Sequence, residues 1–271
     1  MTALLNGHAA GEWAFSRGLQ YGDGVFRTIL AINGEMLDWS LHLNKLNADC
    51  QALGLEMPAS ETLLSEARIL VNDHARAVLK LLVVRRAGGR GYRAENNSSD
   101  RVLLRFAPPK FPSSHWTEGI NAFRSPFALS TQPALAGIKH LNRLEQVLAS
   151  QNWPVATDEG IVCDQVGGPI GGTRSNLFCV RNAQLQTPAL TNCGIAGIMR
   201  AKIIAMAASL DIRTHEAPLT WETLVSADEV FVCNALIGIW PVRTLEGRCW
   251  RSAPGVITSA LMAALRHPML D

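Results

Sequence analysis

Three prolines within Ala107-Pro-Pro-Lys-Phe-Pro-Ser-Ser114 set the first limit on what this chain can build. Proline removes a backbone donor and fixes φ, so neither a helix nor a central strand runs through such a segment. The 271 residues therefore divide into a smaller N-terminal α+β domain at 1–107, a Pro-rich interdomain linker at 108–116 and a larger C-terminal domain at 117–271. At roughly 100 to 200 residues per domain, each piece is long enough to close a core, and hydrophobic residues making up 48% of the chain supply it. That composition excludes a disordered chain.

Hydrophobic alternation on both sides of Asn33-Gly34, from Val25 to Ile32 and from Glu35 to Trp39, predicts a β-hairpin, because Asn-Gly supplies the positive φ angles of a type I′ turn. Ser40 is expected to cap a helix whose face is Leu43, Leu46, Cys50 and Leu53, and a second helix from Ser60 carries Leu63, Leu64, Ala67, Leu70 and Val71. Val78–Val84 and Arg101–Phe106 read as strands. Between them lie a Gly-rich loop, Ala87 to Tyr92, and a polar tract, Asn96 to Asp100, expected to be mobile. Beyond the linker the pattern predicts strands near 120–125, 159–163, 175–181 and 229–235, with helices near 142–152, 197–210, 220–226 and 255–266. The predicted class is α/β (α+β) in two domains.

Charge narrows the partners. Lys+Arg number 25 and Asp+Glu 23, a net +2, too balanced for a chain whose main partner is nucleic acid or an anionic membrane. No apolar run approaches the roughly 20 residues of a spanning helix, and Met1-Thr-Ala-Leu-Leu-Asn-Gly7 has no basic n-region, so a cytoplasmic protein acting on a small molecule is expected. Six cysteines without a CxxC or CxxH pair signal neither a zinc knuckle nor a disulfide framework, and most read as small core residues. The seven histidines form no HxH or HExxH set, so no metal is expected. There is no Gly-x-Ser-x-Gly elbow and no Walker-type Gly-Lys-Ser/Thr.

Four segments could carry chemistry. Lys139, at the mouth of a helix whose Leu144, Val147 and Leu148 are expected to face inward, would be nucleophilic if its amine were desolvated; the ordinary alternative is a solvated lysine. Cys193-Gly-Ile-Ala-Gly-Ile-Met-Arg200 opens a helix, where the amides of Ile195, Ala196 and Gly197 could meet a phosphate at the positive end of the dipole; taken alone, the ordinary alternative is a plain Gly-containing start. Asn234-Ala235, after the strand Val230–Cys233, could add polar groups or simply end that strand. Arg85, Arg86, Arg90 and Arg93, with Tyr92 among them, suit a substrate bearing carboxylates, which guanidinium groups bind bidentately, or form a solvated basic loop.

Together these segments resemble the fold-type IV pyridoxal-phosphate (PLP) enzymes, a family that includes branched-chain and D-amino-acid aminotransferases. Within it, Gly137-Ile-Lys-His-Leu-Asn-Arg-Leu-Glu-Gln-Val-Leu148 and Gly88-Gly-Arg-Gly-Tyr92 are most similar to the 4-amino-4-deoxychorismate lyases. Arg17 to Phe26, Ser175-Asn-Leu-Phe178 and Cys233-Asn-Ala-Leu236 are shared more widely in the fold. The resemblance implies a two-domain enzyme with PLP in the interdomain cleft of a homodimer. It implies conversion of 4-amino-4-deoxychorismate to 4-aminobenzoate and pyruvate in folate biosynthesis. Lys139 would hold the cofactor covalently and move the proton. Lys45, Ile195, Ala196, Asn234 and Ala235 would hold the phosphate end. Thr28, Arg90 and Tyr92 would line the dicarboxylate substrate.

Two positions depart from the family pattern. Gly171, five residues before Asn176, stands where the family has a glutamate that keeps the PLP pyridine nitrogen protonated, and Lys45 in His42-Leu-Asn-Lys-Leu46 stands where it has a phosphate-binding arginine. Lysine keeps the charge and loses the bidentate fork. An aminotransferase of the same fold and a ligand-binding homologue without turnover are the alternatives these departures leave open.

Overall fold

The computed structural model describes residues 4–6, 8–9, 11–87 and 91–269. The chain separates into two compact units: Met1–Pro108 together with Ile138–Arg143, and Pro109–Gly137 together with Leu144–Asp271.

The first unit begins with a short antiparallel pair, β1 (Leu4–Leu5) and β2 (His8–Ala9), followed by α1 (Arg17–Tyr21). Its body is an antiparallel sheet in the order β4-β3-β5-β6, built from β3 (Gly24–Ile32), β4 (Glu35–Met36), β5 (Arg76–Arg85) and β6 (Ser99–Phe106). The β3–β4 turn places Asn33 at φ 49° and Gly34 at φ 79°, the hairpin geometry that Asn-Gly favours. Two helices, α2 (Trp39–Ala52) and α3 (Ser60–Val71), pack on the sheet. Leu46 and Cys50 of α2 and Leu63 of α3 meet Val25, Leu81 and Val83, while Ala67 and Val71 meet Ile29, Ala31 and Leu79. The expected apolar stripes thus face the core, but Ser40 is not the cap. Asp38 takes that place in the left-handed region, φ 54°, because the chain turns from the hairpin straight into the helix and leaves Ser40 inside the first turn. Nor is the 96–100 tract loose. Ser99 and Asp100 start β6, Arg86 donates its N–H to the Ser98 carbonyl at 2.9 Å, and Arg85 bonds the Asn96 carbonyl at 3.1 Å.

The second unit opens with α4 (Ser114–Thr117), whose Trp116 is buried and donates Nε1–H to the Ile237 carbonyl at 2.8 Å. Then follow β7 (Ile120–Ala128), α5 (Leu144–Ala149), β8 (Glu159–Cys163), β9 (Pro169–Gly172), β10 (Asn176–Arg181), β11 (Gln184–Pro188), α6 (Ile198–Ser209), β12 (Thr214–Ala217), α7 (Trp221–Val225), β13 (Glu229–Asn234), β14 (Gly238–Leu245), β15 (Arg248–Cys249) and α8 (Val256–Leu265). The strands run β12-β11-β10-β13-β14-β7-β8-β9, with β15 on β14, and β9 also pairs with β10. That last pairing closes β10, β13, β14, β7, β8 and β9 into a barrel, which removes the two edges those strands would otherwise expose. Against it, Met199, Ile203 and Ala207 of α6 and Leu261 and Leu265 of α8 pack on Phe178, Val180, Phe231 and Ile239, where Phe178 and Phe231 stack with centroids 5.0 Å apart.

Helix α5 departs from expectation. Leu144, Val147 and Leu148 are 68%, 52% and 43% exposed; in this six-residue helix the buried position is Ala149, and the helix is held instead through Glu145, which accepts from the Ser130 N–H at 2.7 Å.

Candidate active site

Lys139 lies on the 138–143 segment, which is laid against the start of β3. Phe26 donates its N–H to the Lys139 carbonyl at 3.0 Å, Leu141 donates to the Gly24 carbonyl at 2.9 Å, and Val25 bridges to His140. Gly24 permits the approach: a Cβ there would sit 2.6 Å from the Val83 carbonyl oxygen and 2.9 Å from Leu141 Cδ1. Successive strand residues point to opposite faces, so Phe26 and Thr28 share one face with Lys80, the register partner of Thr28. Onto that face falls the Lys139 amine, 4.5 Å from the Phe26 ring centroid, with Lys80 Nζ at 5.3 Å from the same ring.

This setting acidifies the amine. Burial strips water from the ammonium, Arg27 and Arg143 repel it, Asp49 favours it and Lys80 repels it further, and together they push Lys139 from 10.5 down to about 7. A large share of the amine is then neutral at physiological pH, ready to act as nucleophile and base. Behind the lysine, Asp49 of α2 is 1% exposed and accepts from the Lys139 backbone N–H at 3.1 Å, from Arg27 Nη2 and from Lys45 Nζ. His42, buried beside Arg27 and Lys139, is pushed down to about 3, first by desolvation and then by those two charges. Asp49 and Arg27 escaped the sequence reading because nothing local marks a buried pair whose members lie 22 residues apart.

The basic loop resolves into different jobs. Arg85 is buried and spends its donors on Asp23 and on the carbonyls of Leu53, Gly54 and Asn96, so it is a structural tie and not a substrate group. Arg86 pairs with Asp100 at the surface. Arg90 lies outside the described residues. Tyr92 is 88% exposed and meets the Tyr21 ring edge-on at 5.5 Å. Its backbone is fixed by Arg17, a buried residue the sequence reading did not single out as a group in its own right: Nη1 bonds the Gly91 carbonyl at 2.9 Å, Nη2 the Tyr92 carbonyl at 2.8 Å and Nε Asp23 at 2.9 Å.

In the second unit, Asn176 organises the start of α6. Its Nδ2 donates to the Ile195 carbonyl at 2.7 Å, and its Oδ1 accepts from Gly197 N–H at 3.2 Å. Ala196 N–H bonds the Gly137 carbonyl at 3.1 Å. Two of the three amides expected to meet a phosphate, those of Ala196 and Gly197, are therefore already engaged. Helix α6 itself begins after Gly197 without a side-chain cap, which leaves its first-turn amides at the positive end of the dipole for an anion. Asn234 bonds the Arg174 carbonyl through Nδ2 and accepts from the Leu236 and Ile237 N–H groups; its side chain shapes the 234–237 turn, and Ala235 sits in that turn.

Gly171 and Gly172 close a tight turn with Ser175, where Gly172 N–H bonds the Ser175 carbonyl at 2.9 Å. A Cβ at Gly171 would come 2.8 Å from the Ser175 carbonyl oxygen, and one at Gly172 would come 2.7 Å from Glu159 Cδ. Glu159 is fully buried. Its carboxylate accepts from Thr173 N–H and Oγ1–H at 3.0 and 2.6 Å and from Ser175 Oγ at 2.9 Å, so the double glycine makes room for an acid that fastens the turn.

Comparison with known proteins decides the family. Residues 24–245 match the model of amino-transferase class IV. The chain belongs to that family. It is 33% identical over 230 residues to the aminodeoxychorismate lyase of Vibrio harveyi, a match covering 83% of this chain and 84% of that protein. To the D-alanine aminotransferase of Bacillus licheniformis it is 27% identical over 259 residues, covering 94% of this chain and 90% of the other. Among solved structures, the 4-amino-4-deoxychorismate lyase of Pseudomonas aeruginosa superposes with a TM-score of 0.88 at 36% identity, covering 95% of both chains. The class IV fold is thus the two α+β units described above.

Proposed function

We propose that this class IV chain is a PLP-dependent lyase that converts 4-amino-4-deoxychorismate to 4-aminobenzoate and pyruvate. The observation that carries the reading is Lys139, an amine brought down to about 7 beside the Phe26 ring, and the lyase similarity supplies the substrate. The described residues fit the cofactor: a neutral lysine for its aldehyde carbon and an uncapped helix start for its phosphate. When bound, PLP supplies an electron sink conjugated to the substrate amine.

The chain supplies the rest. Lys139 Nζ takes the proton from the ring carbon that bears the amine; the C–O bond to the enolpyruvyl group breaks with its electron pair going to oxygen, and the departing enolate becomes pyruvate by taking one proton at carbon. The phosphate is assigned to the α6 start, to the amides of Ile195 and Ile198, with Ala196, whose own N–H is held by the Gly137 carbonyl, and Asn234 and Ala235 lining it. Gly137, two residues before Lys139 in sequence, is hydrogen-bonded to Gly194 and Ala196. Lys45 meets an anion only in competition with Asp49. Thr28, on the face of Phe26 and Lys80, and Arg90 and Tyr92 are assigned to the two carboxylates of the substrate, which guanidinium groups suit.

No helix among the described residues is long and apolar enough to cross a membrane, consistent with the cytoplasmic location we infer. A homodimer is our inferred assembly, supported by the exposed Leu144, Val147 and Leu148 of α5, since contiguous apolar surface of this kind marks association.

Borohydride reduction of the PLP-treated protein, followed by peptide mass spectrometry, tests the reading. A phosphopyridoxyl group on Lys139, with 4-aminobenzoate and pyruvate formed from aminodeoxychorismate, is expected, and Lys139→Ala loses both. Label elsewhere, or none, refutes it. Oxo-acid formation from D-alanine without 4-aminobenzoate would establish the aminotransferase alternative.

A further inference from the structure

We infer that Asp49 is a positioning residue for Lys139, the α2 carboxylate that ties the lysine's backbone to the helix and sets the charge beside its amine. The inference rests on the role of Lys139 proposed above. Asp49 accepts from the Lys139 N–H at 3.1 Å through the same Oδ2 that meets Arg27, and its Oδ1 takes Lys45 Nζ. One buried carboxylate thus joins three elements: α2, β3 and the 138–143 segment.

The charge arrangement gives the junction a function beyond packing. The groups around the amine are Arg27 and Lys80 from the sheet, Arg143 from its own segment and Asp49 from α2; His42 and Cys50 on α2 face Arg27 and stay uncharged, the histidine pushed down to about 3 and the thiol up to about 12 by burial. Asp49 is the only anion in this set, and it works against the burial that chiefly acidifies Lys139 and against the three cations that add to it. Its carboxylate raises the amine, while Arg27 adds to the lowering that burial begins. The pair tunes one nucleophile from two sides.

Arg27 left alone in the core is an uncompensated buried charge, so Asp49→Asn by itself can unfold the protein. The deciding comparison is Arg27→Met against Arg27→Met/Asp49→Asn, neither of which strands a guanidinium, and asparagine retains an acceptor for the Lys139 N–H. The readout is the pH midpoint of Lys139 acetylation by acetic anhydride in the cofactor-free protein, followed by peptide mass spectrometry. Arg27→Met is expected to raise the midpoint above that of the wild type, and adding Asp49→Asn to lower it by about one unit or more, the size of shift a neighbouring charge produces. A purely structural Asp49 leaves the midpoint equal in these two folded variants, and that result overturns the inference. Because no cofactor is present, the outcome is separate from whether PLP is later found on Lys139.

Discussion

Phe26 holds Lys139 at both ends: its N–H bonds the lysine carbonyl at 3.0 Å while its ring lies 4.5 Å under the lysine amine. The backbone bond fixes where the side chain starts, and the ring fixes where it finishes, on the same face as Thr28 and Lys80. An aromatic face beside a cation is worth about 0.5 to 2 kcal/mol, yet burial and the neighbouring cations outweigh it and leave the amine near neutrality.

That balance has a sign in stability. A lysine held at about 7 in the folded state and near 10.4 unfolded binds fewer protons folded, so its contribution is a penalty below pH 7 that fades as pH rises toward 10. Replacing it with methionine should raise Tm at pH 6.5, and the gain should shrink steadily between pH 7 and 10. A gain independent of pH would show that the amine is ordinary.

His42 works in the same direction at lower pH. Held at about 3 when folded against a usual 6.5, it binds a proton on unfolding throughout that interval, so stability should fall as pH drops from 6.5 to 3, by about 1.4 kcal/mol per unit at most. Urea melts at pH 4, 5 and 6 should show a shallower pH slope for His42→Leu than for the parent. Equal slopes would mean that the ring is protonated in the fold.

Arg17 should matter to substrate binding without touching substrate. Its guanidinium holds the Gly91 and Tyr92 carbonyls, so Arg17→Met should speed hydrogen exchange at 91–95 and raise KM. An unchanged exchange rate would place the order of this loop elsewhere.

Removing the Asn176 amide leaves the Ile195 carbonyl and Gly197 N–H without their partner. Asn176→Ala should cost about 1 to 3 kcal/mol of stability and weaken PLP binding. The check is denaturant unfolding of the cofactor-free protein paired with a PLP titration, in which a normal Kd would remove the α6 start from the phosphate.

Restoring the family's acid by Gly171→Glu should fail to raise the rate. The obstacle is a Cβ that would sit 2.8 Å from the Ser175 carbonyl oxygen, so the expected product is a protein with lower Tm and no faster single turnover of aminodeoxychorismate. A faster variant would prove that the 171–175 turn yields.

The elements legible in the sequence were those with a local cause. Asn33-Gly34 announced its hairpin, and the stripes of α2 and α3 announced their buried faces. The strand expected near 229–235 is β13, and Asn234 does end it, but β14 was not foreseen: it follows at once across a turn that Asn234 closes through Leu236 and Ile237. An Asx turn is readable from Asn234 in principle, but nothing local says that the apolar residues after it form a second strand. Helix α5 failed for another reason: a spacing of Leu144, Val147 and Leu148 says that three residues share a face, not whether protein covers that face. Lys139 was found through its motif, whereas the Asp49–Arg27 pair that shapes its acidity arises only when α2 is laid across β3.

The 138–143 segment belongs to the first unit although it is reached through the chain of the second. A truncation at Pro108 would keep β3, α2 and Asp49 and discard the strip that Gly24, Val25 and Phe26 bind. The first unit is therefore contiguous in space and interrupted in sequence, and no single cut yields it whole. Recombination between relatives with one crossover at the proline segment would join one parent's Asp49 to the other parent's Lys139, so inheritance of a working amine requires that the two loci travel as a matched set.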